Sequence, residues 1–413
     1  MGNVNKQARL KGIRSLQTKW GRRIAFWGLL AVLVGLLAIK QSHESRRPTL
    51  PDVQSGPWGE MLVTGMQMHQ STENTGFFKL SLQGPFWSFG SIGGEGVAQI
   101  LRSVGCSPEE IKSLMGAQVP HKDGSFVIQP PEQTLLSMPK ETRSKLYLEL
   151  AKNRENIFQA NPVLIDRSTL PGQLRALVPN PAPLCQMIDK LSYPRNGYTY
   201  FSDPEVLWRL MGGGEAEKES LLKFLTSIPT VSASLLIKPD TQIDQSIIYW
   251  ALPMPGVRVS DLYPLFESQK ALPQGGLIPI SYLLPAIARN SLYATPLPFQ
   301  GKGEHPVDCL STALMFFAPD PDPRVSDPEF AFKFVRGHYY EISRPSLAGD
   351  LVLLLNDKGI LVHAAVHLAG DIVYGKNGVS TSQPWVLMHE KDMVALFSAL
   401  SPIKVYYMRW NDW

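Results

Sequence analysis

His305-Pro306-Val307-Asp308-Cys309-Leu310-Ser311-Thr312-Ala313-Leu314, then Gly349-Asp350-Leu351-Val352, then His363-Ala364-Ala365-Val366-His367-Leu368-Ala369-Gly370-Asp371-Ile372-Val373-Tyr374-Gly375-Lys376-Asn377-Gly378 are the three pieces that set the expected fold. The first puts Cys309 where a Pro- and Asp-bearing turn gives way to an apolar-periodic helix, so the sulfur is expected at the positive end of the helix dipole, which favours thiolate. The third alternates, breaks at Gly370-Asp371 and resumes at Ile372, the pattern of two antiparallel strands joined by a tight turn. His363 opens the first of these strands and Asn377 follows the second. A thiol, an imidazole and a polar orienting group, distant in sequence, are the parts of a base-activated cysteine nucleophile.

Around this segment the rest of the last hundred residues predicts more sheet. Leu351-Val352-Leu353-Leu354-Leu355 is a continuous apolar run closed by the turn signal Asn356-Asp357-Lys358-Gly359, and residues 405–410 end the chain as another strand. Residues 385–400 are expected to be helical, with Leu387, Met388, Met393, Val394 and Phe397 as the apolar positions. On a strand His363, Ala365 and His367 share a face, with the imidazoles roughly 13 Å apart at ~3.3 Å per residue, too far to share one metal ion. Zinc binding would need these histidines at helical i,i+4 spacing, which the glycine breaks on either side disfavour.

Upstream, residues 59–295 are expected to form a mostly helical domain. Residues 97–115 suggest a helical hairpin, with Ser107 as N-cap, Pro108 at the first helical position and Glu110 closing a capping box. Further helices are expected over 140–153, 204–211 and 216–225, and strands over 231–237 and 245–252. The Pro-rich run Tyr293-Ala294-Thr295-Pro296-Leu297-Pro298 marks a boundary, so 296–413 is expected to be a separate domain. The glycine-dense Gly90-Ser91-Ile92-Gly93-Gly94-Glu95-Gly96 lacks the Gly-Lys-Ser/Thr of a phosphate loop, and neither HExxH nor CxxC occurs. No cofactor and no metal is expected.

Of the 413 residues, 44% are hydrophobic, enough for a sizeable core. Residues 1–23 carry seven basic side chains and no acid, so removing them from the formal charge of +4 leaves about −3 for the remainder. A nucleic-acid-binding body is therefore not expected. Residues 24–39 are sixteen uncharged, mostly apolar residues, about 24 Å of helix at ~1.5 Å per residue, with Arg23 and Lys40 at the ends. Basic residues before the segment predict a single-pass anchor in a bacterial-type inner membrane, with residues 1–23 cytoplasmic, a linker at 40–58 and the body outside. The same pattern also describes a cleaved signal peptide. Cys106, Cys185 and Cys309 allow one disulfide at most and leave at least one thiol over.

Asp308-Cys309 opening a helix, Gly349-Asp350-Leu351-Val352, and His363 beginning a strand that ends in a Gly-Asp turn together resemble the NlpC/P60 group of papain-like cysteine peptidases. The resemblance spans about 120 of the 413 residues. It implies an α+β C-terminal domain, a helix packed on an antiparallel sheet, and cleavage of amide bonds such as those of cell-wall peptides. Cys309 matches the family's nucleophile and His363 its general base. The third polar residue, often a histidine on the next strand, has no histidine counterpart here; Asn377 is the first candidate to orient the imidazole and Lys376 the second. Leu310 stands where the family usually has Ser or Gly. The expected chemistry is attack by the Cys309 thiolate on an amide or ester carbonyl, with His363 moving the proton. The alternative is an inactive module of the same shape that binds a cell-wall peptide or a protein partner.

Overall fold

The computed structural model describes residues 52–69, 86–121, 124–153, 155–175, 178, 180–210, 214–253, 257–295, 307–317, 322–377 and 383–411. Among them no helix is long and apolar enough to cross a membrane. The expected fold class is corrected accordingly: the described residues are α+β with no membrane-spanning helix among them, and the segment proposed as one, 24–39, lies outside them.

Pro51–Trp413 forms one compact unit. Its first part is helical around a core of its own. Helix α1 (Gly94–Ser103) and helix α2 (Pro108–Met115) make the expected hairpin, and the Ser107 hydroxyl accepts from the Glu110 amide while the Glu110 carboxylate accepts from the Ser107 amide. Helices α3 (Lys140–Leu150), α4 (Pro204–Leu210) and α5 (Glu215–Leu225) follow near their expected positions. Buried residues from Trp87 to Leu225 fill this core. It also holds a polar group without solvent: Tyr147 donates to Asp203 at 2.5 Å, and Arg143 donates to the carbonyls of Lys190 at 3.1 Å and Leu191 at 3.3 Å.

The same stretch is not mostly helical throughout. Strands β1 (Asp52–Gly56), β2 (Gly59–Met68), β3 (Ile228–Ile237) and β4 (Gly276–Pro279) form an antiparallel sheet in that order. Of residues 245–252, expected as a strand, 245–251 belong to helix α6 (Ile243–Ala251) and Leu252 is its C-cap. The spacing explains it. Ile243, Ile247, Trp250 and Ala251 are buried at i, i+4, i+7 and i+8 while Ile248 is exposed, which is one stripe of a helix and not two faces of a strand.

The C-terminal part is a six-stranded antiparallel sheet in the order β5 (Tyr339–Ile342), β10 (Ile403–Trp410), β6 (Leu351–Asn356), β7 (Leu361–Ala369), β8 (Ile372–Lys376), β9 (Trp385–His389). The two local turns are where the side chains require them. Asn356 Oδ1 accepts from the amides of Lys358 and Ile360, with Gly359 at φ +74°, and Gly370 turns the β7–β8 hairpin at φ +61°. Residues 385–400 are not one helix. The first five pair with β8 as β9, since Val386, Leu387 and Met388 are buried on both faces, and helix α8 (Glu390–Phe397) starts only after His389.

The boundary expected at 296 does not separate two cores. A single apolar cluster runs from Met61 and Val63 of β2 through Leu235 of β3, Trp250 of α6 and Leu310 to Val366 of β7 and Leu387 of β9. The Thr230 hydroxyl on β3 donates to the Leu387 carbonyl on β9 at 2.7 Å.

Candidate functional site

Cys309 stands where it was expected, at the first position of helix α7 (Cys309–Leu314). The cap is strong: Asp308 Oδ1 accepts from the Ser311 amide at 2.7 Å and Ser311 Oγ accepts from the Asp308 amide at 2.9 Å. Trp385 Nε1 donates to Thr312 Oγ1 at 3.1 Å and pins the helix to β9.

The sheet's two faces then decide what Cys309 can meet. On β7, Ala364, Val366 and Leu368 point into the core that contains Cys309, Leu310 and Ala313. Val362 and Ala365 point into the opposite core, with Val352, Leu354, Met388 and Phe397. His363 belongs to the second set. It pairs with Leu354, and its ring stacks on Phe397 of α8 at 3.9 Å and 14°. The expected Cys309–His363 pair is therefore not formed, because α7 lies on one side of β7 and the imidazole on the other. Asn377 follows the same parity, donating from Nδ2 to Met388 Sδ at 3.3 Å within the second core. It orients no ring: both nitrogens of His363 are buried without a hydrogen-bond partner.

The residue brought to Cys309 is Lys376. Two positions along from Tyr374, it shares the Cys309 face of β8 and is fully buried, near enough to Cys309 and Asp308 to respond to their charges. Burial pushes its ammonium down to about 8, while the neighbouring thiol and carboxylate push the other way. Burial, helped by Asp308, drives the Cys309 thiol up to about 11. At neutral pH the pair is thus a protonated thiol beside an amine that is still largely charged. Cys106 and Cys185 are also free thiols.

A second polar locus, not anticipated from the sequence, sits at the other end of β7. Pro57, Trp58, Tyr198, Arg344, His367 and Asp371 are among the residues around an open cleft of about 770 Å³, with Glu390 and Lys391 at the start of α8. The walls are built firmly. The Asp350 carboxylate, fully buried, takes Arg409 Nε at 2.7 Å and Nη2 at 2.6 Å, and accepts from the Ser346 and Leu347 amides at 2.8 and 3.0 Å, fixing the loop that carries Arg344. Elsewhere on the lining Asp371 accepts from His389 Nδ1 at 3.0 Å and from Gln54 Nε2 at 2.5 Å, and Tyr407 donates to Glu390 at 2.5 Å. His389 is correspondingly raised, chiefly by its hydrogen bond to Asp371.

His367 lines this cleft at 2% exposure, and neither ring nitrogen has a partner. Burial lowers it to about 4, with Asp350 opposing, so the ring is neutral. His363 is lowered further, to about 3, by burial alone. Because β7 is a strand, the two imidazoles are not at the helical spacing a shared zinc would need. The sequence carried a partial signal for the cleft, since His367 repeats the polar face begun at His363; nothing in it singled out Arg344 or Trp58. Comparison of the chain with family models, with curated proteins and with solved structures finds no match.

Proposed function

We propose that this chain is a non-hydrolytic module, of the papain-like kind its motifs resemble, that binds a peptide or a partner presenting one. The observation that carries the reading is the separation of Cys309 from His363 by strand β7, with His363 sealed against Phe397. A general base must come within hydrogen-bond reach of the proton it takes. An imidazole on the far side of a sheet cannot reach the thiol without unpairing β7 from its neighbours. The thiol's upward displacement supports the same reading, since the thiolate is the nucleophile and little of it exists at neutral pH.

One arrangement favours a competing reading. Lys376, lowered to about 8 beside Cys309, supplies that reading with a base in place of the imidazole. Iodoacetamide labelling of the full chain separates the two. The non-hydrolytic module labels slowly at Cys309 at pH 7.5, accelerates only as pH climbs toward the thiol's own value, and is indifferent to His363→Phe. Fast labelling at neutral pH that is lost in Lys376→Met, together with turnover of a peptide amide lost in Cys309→Ala, overturns it.

A further inference from the structure

The cleft beside Trp58 is lined by two of the buried, unpartnered side chains among the described residues, His367 and Trp58. His367 lines the cavity, is nine-tenths buried, and holds both ring nitrogens out of solvent without a partner. A buried polar group without a partner costs about 1–3 kcal/mol, a cost that a ligand seated against the ring would relieve. Trp58, on the same lining, also has a buried ring N–H without a partner. The volume of about 770 Å³ lies within the roughly 300–1,000 Å³ typical of small-molecule sites.

The lining also states the ligand's charge. Arg344 and Lys391 carry positive charge and Asp371 and Glu390 negative charge, so the lining's formal charges cancel. A phosphate would face two carboxylates. A simple amine would leave Arg344 uncompensated, and Arg344 has no ion pair among the described residues. Lys391 lies close enough to Asp371 to act on its carboxyl, which leaves Arg344 as the uncompensated cation of the lining. A neutral imidazole offers one donor and one acceptor, the complement of an amide N–H and C=O, and Trp58, Pro57 and Pro345 supply an apolar wall.

We propose that this cleft binds a zwitterionic short peptide: carboxylate to Arg344, ammonium to Glu390, amide against His367, and an apolar side chain against Trp58. The proposal rests on the peptide-binding reading above and gives it a place and a chemistry, on the face of β7 away from Cys309.

The test is calorimetric titration of the full chain with the dipeptide alanyl-phenylalanine, its N-acetyl form and its C-terminal amide. Saturable binding of the free dipeptide is expected, weakened ~10-fold or more by blocking either end, a loss of at least about 1.4 kcal/mol. Arg344→Ala, an exposed position that leaves folding intact, should weaken the free dipeptide to the level of its amide and leave the two indistinguishable. Equal binding of all three compounds, no saturation, or an Arg344→Ala protein that still prefers the free carboxylate overturns the site. The solution is also assayed for free phenylalanine. Release that depends on Cys309 sinks the non-hydrolytic reading instead, while the site is still decided by the Arg344→Ala comparison.

Discussion

His363 and His367 lie on one strand and one face, four residues apart, and the protein uses them in opposite ways. His363 is closed over by Phe397, with no charged group acting on it and nothing for its nitrogens to bind. His367 is as deeply held yet borders a cleft, with Asp350, Arg409 and Asp371 near enough to act on it. Burial neutralises both rings, so protonation does not distinguish them; the cleft that His367 lines does. A polar residue on a core strand is evidence of function only where a cavity reaches it.

The firmest part of that contrast is the buried ion pair that builds the His367 end. Asp350→Ala removes the only carboxylate facing Arg409 in this fork and orphans two backbone amides, with an expected loss of about 3–5 kcal/mol in a denaturant melt. Dipeptide binding should fall with it, because the Arg344 loop loses its anchor. A loss below about 1 kcal/mol would mean that the cleft wall stands without the pair.

The two histidines also set a pH dependence that one variant can divide. A histidine whose folded pKa is depressed stabilises the fold fully above its unfolded value, about 6.5, and loses that contribution as pH falls toward the folded value. For His363 the window runs from about 6.5 down to about 3. His363→Phe keeps the ring stack but not the titration, so its stability relative to wild type should rise by about 1.4 kcal/mol per pH unit below 6.5, reaching about 3 kcal/mol at pH 4. Parallel curves would place the His363 ring in solvent. At pH 8, with titration silent, the same variant should still gain ~1 kcal/mol by removing two unpartnered nitrogens. The smallest effect is expected on the other face: Cys309→Ala should cost under about 1 kcal/mol and leave dipeptide binding unchanged.

Much of the local structure was legible because its cause is local. Asp308 and Ser311, Ser107 and Glu110, Asn356 and Gly359, and Gly370 each close hydrogen bonds or torsions within a few residues, and all sit as their identities predict. Elements whose type depends on partners were misread. Residues 245–252 are apolar enough for either type, and 385–389 became a strand only because β8 offers an edge. β2 was missed because its pairing with β3 spans more than 150 residues, and β1 was missed with it because β1 pairs only onto β2.

The site failed for a subtler reason. Strand alternation correctly put His363 and His367 on one face, but which face receives α7 is a matter of docking. A usable clue was present. Ala364, Val366 and Leu368 form the wholly apolar face, the one on which the apolar side of α7 buries most surface, and that leaves the histidine face turned away from Cys309.

The central claim, that β7 separates the thiol from the imidazole, is tested most directly by NMR of the histidine rings in wild type and Cys309→Ala, with and without alanyl-phenylalanine. The account predicts that the His363 ring signals are unchanged by the cysteine substitution and by the dipeptide, while the His367 ring signals shift with the dipeptide alone. A His363 ring that moves or changes its titration when the Cys309 sulfur is removed would contradict it.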